Sequence, residues 1–534
     1  MILFIMVYII YMVYKSMEAM HMLQQNLYNE NNRYIRWIRK NLGRAFCLYD
    51  FIPILFFIFI FIINEKSVTD FILIASMFIY MYCIYNEYRK NKENQNKIPL
   101  KITGRIKRLF FTTIIIYGIP IVLVVKITNP LYLTIMLIML VLILGFNYYM
   151  IFFASILDTP FNQIEFNYYY KKAKKKLNGM PYLPVIGITG SYGKTSSKNI
   201  LNEILSSKYI SKTTPKNYNT LSGLMMTVNN YLDKFDEIFI AEMGAYTKGD
   251  IKKLCEFVKP KYGILTIIGE SHLETFGTIE NVCKTKFELI ESLPSDGLAI
   301  LNMDDSYQVN YPLKNNVPIK WISINNTMAD VYASNIKCSK NGMMFDCHYG
   351  DEKVTFRTRI LGEYNIYNIL ASVALALHLG IDINDIKASV NSLKATEHRL
   401  ELKKVGNMYM LDDAYNSNPV GASGAIDVLN LMPGTKVVVT PGMVELGTIE
   451  KEKNYEFGKK ISEVADYCIL VGEKRTKVIK KALLENGFEE ENIFIINKVI
   501  DAYPLVDALK EEDKDIYALF ENDLPDIYTE GGRK

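Results

Sequence analysis

The pattern of apolar positions divides the chain into two parts. In residues 1–165, apolar stretches with almost no charge follow one another at Met1–Tyr14, Phe51–Ile63, Phe71–Tyr85, Leu109–Val125 and Leu131–Leu157. A helix needs about 20 residues, and roughly 17 at the least, to cross the hydrocarbon of a bilayer. The last two stretches reach this length, the middle two reach it with their polar flanks, and the first reaches it only if the helix continues past Lys15. The pattern predicts an α-helical membrane region of about five spans.

The charges between these stretches predict their orientation. Six basic residues lie between the first and second stretches, eight between the third and fourth, and five within Lys171–Lys176, whereas the alternate loops hold only Lys66 and Lys126. By the positive-inside rule the N-terminus lies outside the cell membrane, and everything after Leu157 lies in the cytoplasm. The alternative, a buried core of a water-soluble domain, fits poorly with apolar stretches of this length.

A basic, aromatic linker over residues 166–183 is followed by alternating strand and helix patterns, which predict an α/β architecture. We expect one α/β domain over residues 184–395, with a β-rich excursion at 318–360. A second, Rossmann-like domain is expected over residues 396–534, because strand patterns at Lys436–Thr440, Cys468–Val471 and Ile493–Ile496 alternate with helical segments.

Composition narrows the class of protein. Half of the 534 residues are apolar, which excludes a disordered or collagen-like chain. The net charge of +4 hides an asymmetry, since residues 1–183 carry 21 basic and 9 acidic side chains. This basic excess lies in short loops between apolar runs, which indicates a membrane and not a nucleic acid as the partner. The seven cysteines are scattered without a C-x-x-C pair, so we expect reduced thiols and neither a zinc ribbon nor a disulfide framework.

A glycine loop lies between a strand and a helix at the start of the α/β part. The β-branched run Val185–Thr189 is followed by Gly190, Ser191, Tyr192, Gly193, Lys194, Thr195 and Ser196, and then by helical sequence. Such a loop can cradle phosphates with backbone N–H groups, while a lysine neutralises charge and a threonine binds Mg²⁺. The first glycine of the general phosphate-loop pattern would fall at Ile188, so a chance G-K-T sequence is the alternative.

Two further candidates follow buried strands. Glu242 ends the apolar run Ile238–Ala241, and His272 follows the run Tyr262–Ile268. Both are expected at the carboxyl edge of a parallel sheet, where such sheets bind ligands. A carboxylate and an imidazole beside a phosphate loop can hold Mg²⁺. The alternative for His272 is an ordinary surface histidine.

The run Gly187–Thr195 resembles the nucleotide loop of the Mur ligase family, and further matches follow in the family's order. These are Glu242–Ala245, Ile268–Gly277, Lys286–Glu288, Leu301–Asp305, Gly362–Asn368, Arg399, Asp412–Pro419 and Met443–Gly447. The E-M-G-A, D-D-x-Y-N-x-N-P and M-x-E-L-G versions are most similar to the D-alanyl-D-alanine-adding branch, MurF.

The resemblance implies a P-loop central domain that binds ATP and two Mg²⁺ ions, and it assigns roles to single residues. Catalytic roles fall to Lys194, His272 and Lys286, and metal binding to Thr195, Glu242, His272 and Lys286, the last as a carbamylated lysine. Nucleotide binding falls to Gly190, Ser191, Gly193, Lys194, Thr195, Ser196, Asn302, Asn365, Asn368, Arg399 and Asp413. Without the resemblance, Lys286 reads as an exposed helix lysine, the asparagines as caps, and Arg399 as a solvated charge.

The chain departs from the family pattern in several places. Tyr364 replaces a histidine, Ile267 replaces an asparagine, and Asn454 stands where a histidine often follows M-x-E-L-G. The usual lysine-glycine-serine segment near the C-terminus is absent, and Phe520–Asp526 takes its place. About 27 residues separate the last apolar stretch from Val185, too few for the family's uridine-nucleotide-binding domain.

The reaction implied by the resemblance is ATP-dependent amide formation through an acyl phosphate. The implied partners are a peptidoglycan-precursor peptide and an amino-acid or dipeptide amine, most simply D-alanyl-D-alanine, with membrane lipid around the helices. Two alternatives stay open: a ligase for a lipid-linked wall precursor or a γ-glutamate-type polymer, and a membrane-bound nucleotide-sensing scaffold without ligase activity. The sequence names no protein partner.

Overall fold

The computed structural model describes residues 1–93, 99–415, 417–510 and 514–524. Asn416 of the D-D-x-Y-N-x-N-P motif and the Pro525–Asp526 end of the atypical segment lie outside these residues. The described residues form two units, one of residues 1–167 with residue 524 and one of residues 168–523.

The first unit is entirely helical in its described residues. Its helices are α1 Ile2–Gln25, α2 Arg33–Lys40, α3 Leu42–Ala45, α4 Ile52–Ile63, α5 Lys66–Glu93, α6 Gly104–Lys126, α7 Pro130–Gly145 and α8 Asn147–Leu157, and α9 Thr159–Asn178 continues into the second unit. Side chains fix two of the helix starts: the Thr103 hydroxyl accepts a hydrogen bond from the Ile106 N–H, and the Asn129 carbonyl oxygen accepts one from the Leu131 N–H. Such caps satisfy backbone donors that have no partner inside the helix.

Three helices in the described part of the chain are long and apolar enough to cross a membrane: α1, α5 and α6. Helix α1 does continue past Lys15, as the first stretch required. The stretch Leu131–Leu157 is broken into α7 and α8, which are bent by 84° and count as a fourth span only if the pair is one span. Helix α4 has 12 residues, roughly 18 Å, which is short of the roughly 30 Å of hydrocarbon. The fifth span stays a prediction.

The helices of the first unit expose apolar side chains and bury polar ones. Phe71 and Phe111 are 72% and 65% exposed, whereas the Lys15 and Asp50 side chains form an ion pair and are 7% and 0% exposed. The Tyr11 hydroxyl donates a hydrogen bond to Asp50 Oδ1 over 2.6 Å. This distribution is the reverse of that of a water-soluble domain and suits contact with lipid.

The second unit contains a nine-stranded sheet and a six-stranded sheet. The first has the strand order β2-β3-β1-β4-β5-β6-β7-β8-β9 and is parallel from β2 to β7, with β8 and β9 added antiparallel. Its strands are β1 Val185–Thr189, β2 Ser211–Thr213, β3 Ile238–Glu242, β4 Tyr262–Leu265, β5 Leu298–Asn302, β6 Ile319–Ser323, β7 Val331–Ser339, β8 Gly342–Tyr349 and β9 Glu352–Thr358. Strands β6 to β9 form the expected β-rich excursion. Because β1 pairs with β3 on one side and β4 on the other, the sheet reverses its order at the end of β1, where ligands bind in such sheets.

Helices cover both faces of this sheet. They are α10 Lys194–Leu205, α11 Leu221–Asn230, α12 Asp250–Val258, α13 Leu273–Phe276, α14 Ile279–Glu291, α15 Ser306–Val309, α16 Tyr364–His378 and α17 Ile383–Ser392. The largest core cluster joins α10, α16 and α17 to the strands, with Ile186, Ile240, Ile264 and Leu370 all less than 1% exposed. The α10 end that carries the glycine loop is thereby held against a rigid sheet.

The six-stranded sheet has the order β10-β11-β15-β12-β13-β14 and is parallel except for β10. Its strands are β10 Glu401–Val405, β11 Met408–Asp413, β12 Thr435–Thr440, β13 Tyr467–Val471, β14 Ile493–Ile496 and β15 Ile516–Glu521, and its helices are α18 Pro419–Asn430, α19 Glu450–Ser462, α20 Glu473–Glu485 and α21 Ala502–Ala508. Short 3-10 turns occur at Leu27–Asn32, Leu48–Phe51, Gly447–Ile449, Glu490–Asn492 and Val499–Asp501. The last strand of the described residues, β15, lies in the middle of the sheet beside β11 and β12.

Candidate active site

The glycine loop joins β1 to α10 in a conformation that only glycine adopts freely. Gly190 and Gly193 have φ angles of +152° and +79°. A Cβ atom added to Gly193 would lie 3.1 Å from Oδ1 of Asn368 on α16. The loop is therefore closely packed, and Asn368, predicted to bind the nucleotide, lies directly beside it.

The segment after β4 holds the loop in place. The Ser191 N–H donates to the Ile267 carbonyl over 2.8 Å, and the Ser191 hydroxyl donates to the Gly269 carbonyl over 2.9 Å. The Tyr192 hydroxyl donates to the Glu270 carbonyl over 2.6 Å. Ile267 contributes through its backbone, so the replacement of the family's asparagine leaves this contact intact.

Lys194 begins α10 and points its amine back into the loop. Its Nζ donates to the carbonyl oxygens of Gly190 and Ser191 over 2.7 and 2.9 Å. Burial lowers the pKa of Lys194 to about 8, partly offset by the Glu242 carboxylate. A half-buried cation that is bonded only to carbonyl groups is suited to move onto an anionic phosphate.

Glu242 at the end of β3 is the centre of a buried polar cluster. The glutamate is 1% exposed, and its Oε2 accepts from the Thr195 hydroxyl over 3.1 Å and pairs with Lys198 Nζ over 3.0 Å. Its Oε1 accepts from Asn219 Nδ2 over 3.0 Å. The structure thus brings the two predicted metal ligands Thr195 and Glu242 together.

Sequence reasoning missed Lys198, which is 2% exposed and also donates to the Thr214 and Lys216 carbonyls over 2.9 and 2.6 Å. A signal was present, since Lys198 lies one helical turn after Lys194 and so on the same face of α10. Asn219 gave no comparable signal, because it lies in a loop.

The donor set at Glu242 fits Mg²⁺, which prefers carboxylate and hydroxyl oxygens together with water and phosphate. In the described part of the chain, no group of three or more His, Cys, Asp and Glu side chains is arranged to hold a metal ion by itself. In a phosphate-transfer site the nucleotide supplies further ligands to Mg²⁺.

His272 pairs with Glu445, which follows strand β12 of the six-stranded sheet. Its Nδ1 lies 2.8 Å from Oε2 of Glu445, and its ring centroid lies 4.8 Å from that of Tyr246. His272 and Glu445 both have positive φ angles, +51° and +64°, which are costly for such residues and are typical of functional positions. The pairing shows that His272 is not a free surface histidine. Glu445 belongs to the M-x-E-L-G motif, but its partner could not be read from the sequence.

Lys286 is 2% exposed on α14, so its interpretation as an exposed helix lysine is wrong. Among the described residues its amine forms no ion pair or hydrogen bond. Burial lowers the pKa of Lys286 well below its ordinary value, and the nearby Lys194 lowers it further. Glu288 of the same motif accepts hydrogen bonds from the Gly249 and Lys252 N–H groups and so caps α12.

The asparagines differ in their roles. Asn302 Oδ1 accepts from the Asp304 N–H over 2.9 Å and so forms a turn, whereas the cap of the following helix α15 is Asp305. On α16, Asn365 donates to the Leu361 carbonyl, and Asn368 donates to Asn365 Oδ1 over 3.0 Å. Of the three, Asn368 is the one placed against the glycine loop.

Arg399 lies in the segment that leads into the six-stranded sheet. Its neighbours His398 and Leu400 have φ angles of +58° and +51°, and its guanidinium carbon lies 4.2 Å from the centroid of the Tyr415 ring. This half-buried, stacked arginine differs from a solvated charge. Asp413 is 6% exposed, and its Oδ1 accepts from the Leu400 N–H over 3.2 Å.

Two of the departures from the family pattern serve packing. A Cβ on Gly424 of α18 would lie 3.0 Å from the Tyr364 ring, so this tyrosine packs against the six-stranded domain although it begins α16. Asn454 accepts from the Met443 N–H over 2.9 Å and donates to the Met443 carbonyl over 3.0 Å. It thereby fixes the loop that carries Glu445.

Comparisons with known proteins agree with this arrangement. A family model described as the Mur ligase middle domain matches residues 188–376. Over 277 residues the chain is 32% identical to UDP-N-acetylmuramoyl-tripeptide--D-alanyl-D-alanine ligase of Escherichia coli, covering 52% of this chain and 61% of that one. Over 333 residues it is 32% identical to the ligase of the same name from Bacillus subtilis, covering 61% of this chain and 70% of that one.

A solved structure is similar as well. The crystal structure of MurF ligase from Thermotoga maritima in complex with ADP superposes with a TM-score of 0.58 and 26% identity, covering 66% of this chain and 80% of that one. The chain spans about 61% of the length of the first of these relatives and about 70% of the second. The glycine loop, the Glu242 cluster and these similarities lead to one conclusion: the chain belongs to the Mur ligase family.

Proposed function

We propose that this protein is an ATP-dependent ligase that activates a carboxylate as an acyl phosphate and joins it to an amine. The observation that carries the proposal is the meeting of Lys194, Thr195 and Glu242 at the point where the nine-stranded sheet reverses its strand order. Membership of the Mur ligase family, with a similar ligase solved in complex with ADP, supports ATP as the nucleotide.

The residues around the loop have distinct tasks in this reaction. Lys194 exchanges the carbonyls of Gly190 and Ser191 for phosphate oxygens and neutralises charge that develops during transfer. Thr195 and Glu242 would hold Mg²⁺, which would offset the negative charge of the phosphate groups. Lys198 keeps the Glu242 carboxylate in place between its ligands. Arg399, together with Asp413, would contact the nucleotide from the six-stranded domain.

Lys286 is proposed to carry a carbamate. Its burial favours the neutral amine, whose lone pair attacks CO₂ to form an N–C bond with loss of one proton. The product is an anion, which is suited to a metal ligand, whereas an ammonium group beside Mg²⁺ would be repelled. The lack of an anionic partner for Lys286 among the described residues agrees with this role.

For the substrates, we propose a peptidoglycan-precursor peptide as the carboxylate and D-alanyl-D-alanine or a similar dipeptide as the amine. The similar enzymes of E. coli and B. subtilis are named for the addition of this dipeptide to a UDP-N-acetylmuramoyl tripeptide. The test is the purified full-length protein with ATP, Mg²⁺ and both substrates. ATP hydrolysis that depends on both, with the extended peptide detected by mass spectrometry, is the expected result. ATP hydrolysis that no acceptor stimulates would favour the nucleotide-sensing scaffold.

A second candidate substrate is a lipid-linked wall precursor held at the cytoplasmic face of the membrane. The exposed apolar side chains of α5 and α6 favour this substrate, because they suit a bilayer. One span alone already anchors a protein firmly, so several spans exceed what anchoring requires. The basic residues Lys171–Lys176 could attract anionic head groups, at roughly 1 kcal/mol per charge near the surface. A γ-glutamate-type polymer is the remaining carboxylate substrate of this class.

The full-length protein and a variant that starts near Asn178 separate these candidates when they are compared on lipid-linked and soluble UDP-linked precursors. A preference of the full-length protein for the lipid-linked form, lost in the shorter one, supports presentation at the membrane. Equal use of the soluble precursor by both, with no preference for lipid, would leave the helices as an anchor only.

A further inference from the structure

Helices α7 and α8 follow each other in the chain but pack into different cores. Helix α7 contributes Leu137 and Val141 to a core that it shares with the first half of α1, α4, α5 and the second half of α6. Helix α8 contributes Tyr148 and Ile151 to another core, shared with the second half of α1, α2 and the start of α6. Helix α7 has 16 residues and rises roughly 24 Å, most of the roughly 30 Å of hydrocarbon, before the chain bends by 84°. A helix at nearly a right angle to one that crosses the membrane runs along the membrane.

Both ends of α8 contact segments of the cytoplasmic side. At its start, the Tyr148 ring stacks on Trp37 of α2 with the ring centroids 5.8 Å apart, and the Tyr34 hydroxyl donates to the Tyr148 carbonyl over 3.2 Å. Just after its end, Asp158 Oδ1 accepts from Nε of Arg108, near the start of α6, over 3.1 Å. Helix α2 and the start of α6 carry the basic residues that the positive-inside rule assigns to the cytoplasm. A helix with both ends on one side of the membrane does not cross it.

The helical backbone continues from α8 into α9. The Asp158 N–H donates to the Ala154 carbonyl over 3.0 Å, and the Asn162 N–H donates to the Asp158 carbonyl over 3.1 Å. Residues three or four positions apart therefore share a face across the junction. One such face carries four apolar side chains that are between 47% and 68% exposed, namely Phe153, Leu157, Phe161 and Ile164. We call these four residues the apolar stripe.

The surroundings of the apolar stripe suit lipid. Between Phe146 and Ile164 the only charged residue is Asp158, whose side chain is 2% exposed and paired with Arg108. Leu142 of α7 and Phe146 at the bend are each 40% exposed, so the apolar surface that α7 offers to lipid leads into the stripe. A helix with one apolar face, bound to a membrane through that face, is a common form of surface attachment.

We infer that residues 147–164 form a surface helix, which lies in the cytoplasmic face of the bilayer with the apolar stripe in contact with phospholipid acyl chains. The predicted span Leu131–Leu157 is then one crossing helix, α7, followed by a helix in the plane of the membrane. This placement holds whichever reaction the second unit catalyses.

The depth of the apolar stripe in the bilayer tests this placement in the full-length protein. Single cysteines at the four stripe positions are labelled with a nitroxide, and the protein is placed in vesicles of phosphatidylcholine and phosphatidylglycerol. Collision of the label with oxygen, which enriches in lipid, and with a water-soluble nickel chelate reports the depth. The background carries Cys47→Ser and Cys338→Ser, because the other five native thiols are buried.

Helix α6 supplies a matched control that crosses the membrane. Four of its exposed apolar residues have the same spacing as the stripe, namely Phe111, Ile115, Ile119 and Val122. The eight residues from Phe111 to Ile119 rise roughly 12 Å, so these labels should lie at clearly different depths. Gln163, an exposed residue on another side of the surface helix, is the control for contact with water.

We expect the four stripe labels to lie at one shallow depth, roughly 5–10 Å below the head groups and within about 4 Å of one another. The label at Gln163 should collide mainly with the nickel chelate. If the label at Leu157 prevents reconstitution, Ile156, which is 50% exposed, takes its place.

Three other outcomes would overturn the surface helix. A depth that changes by about 12 Å from Phe153 to Phe161, as in α6, would mean that this helix crosses the membrane. Stripe labels that collide mainly with the nickel chelate would place the stripe in water. Labels that neither reagent reaches, with dipolar broadening between labelled molecules, would mean that a second copy of the chain covers the stripe.

Discussion

Glu242 and Glu521 are both 1% exposed and both end a strand at the carboxyl edge of a parallel sheet, yet their surroundings are opposite. Glu242 is bonded through both oxygens and is neutralised by Lys198 at 3.0 Å. Glu521 is paired with a second acid, Asp413, which stands opposite it in the parallel register and forms a hydrogen bond with it. The ion pair with Lys198 keeps the Glu242 carboxylate charged and in place, as a ligand of a metal ion beside a phosphate must be. An acidic pair without a bonded cation retains a proton, and burial raises the pKa of Glu521 well above its ordinary value.

The largest expected effect comes from removing Lys198, the cation that pairs with Glu242 at the carboxyl edge of the nine-stranded sheet (the first edge). Lys198→Met should lower the free energy of unfolding of the nine-stranded domain by about 3 to 5 kcal/mol, because it leaves the Glu242 charge buried without a partner. Denaturant titration followed by labelling of Cys347, which is fully buried in β8, measures this. Lys208→Met, an exposed lysine just after α10, should change stability by no more than about 0.5 kcal/mol.

The double variant Lys198→Met/Glu242→Gln sharpens this result, since the uncompensated charge is then absent and part of the stability should return. If Lys198→Met is no more destabilised than Lys208→Met, the pair does not hold the first edge together.

The next effect is on catalysis. Lys194→Ala should lower kcat/KM for amide formation more than about 100-fold, because one preorganised group that stabilises charge contributes roughly 3 kcal/mol. The loop should stay folded, since Ser191 and Tyr192 keep their bonds to the Ile267 and Glu270 carbonyls. Steady-state phosphate release measures the effect, with Lys208→Ala as the control. Near-normal turnover would remove the phosphate-loop assignment.

Substitution of Lys286 tests whether this buried lysine carries an anionic carbamate. Lys286→Ala should lower turnover at least about tenfold, and millimolar short carboxylic acids should restore part of it, since they can supply the missing anion. Lys284→Ala, an exposed lysine on the same helix, should be unaffected by either change. A crystal structure of the complex with ATP and Mg²⁺ that shows an unmodified Lys286 would contradict the carbamate.

The smallest effect is a pH dependence of stability that arises at the carboxyl edge of the six-stranded sheet (the second edge), where Asp413 and Glu521 lie. The pKa of Asp413 in the folded protein, about 6, lies above the value of an unfolded aspartate near 3.9, so the folded state binds the extra proton between these values. Stability is then fully present below about pH 4 and is lost as the pH rises through 6. Glu521→Gln should reduce this loss, because it removes an acid whose own pKa burial raises well above its ordinary value in the folded protein.

The thermal midpoint of labelling of Cys468, which is buried in β13, at about pH 5 and about pH 8 measures the difference between wild type and variant. Glu463→Gln, which removes an exposed acid of the same domain, should keep the wild-type difference. An equal difference in Glu521→Gln would mean that the acidic pair does not set the pH dependence.

The order of motifs along the chain was enough to predict the first edge. Because Thr195 and Glu242 each follow a buried strand of one parallel sheet, their contact follows from topology, and Lys198 could have been added from its helical spacing. The partners His272 and Glu445, and Asp413 and Glu521, could not be predicted, since each pair joins residues more than a hundred positions apart. The first pair is joined by the packing of two domains, and the second by the strand order of one sheet. The first unit was predicted as apolar helices, but the shortness of α4 and the bend between α7 and α8 depend on tertiary packing.

The most direct test of the central claim follows one oxygen atom. If the carboxylate substrate attacks the γ-phosphate of ATP, a precursor peptide with an ¹⁸O-labelled terminal carboxylate should pass one ¹⁸O atom to each phosphate released during amide formation. Mass spectrometry of the phosphate from the full-length protein measures this. Phosphate that carries no label, with oxygen from water in its place, would contradict the acyl phosphate and with it the proposed ligase.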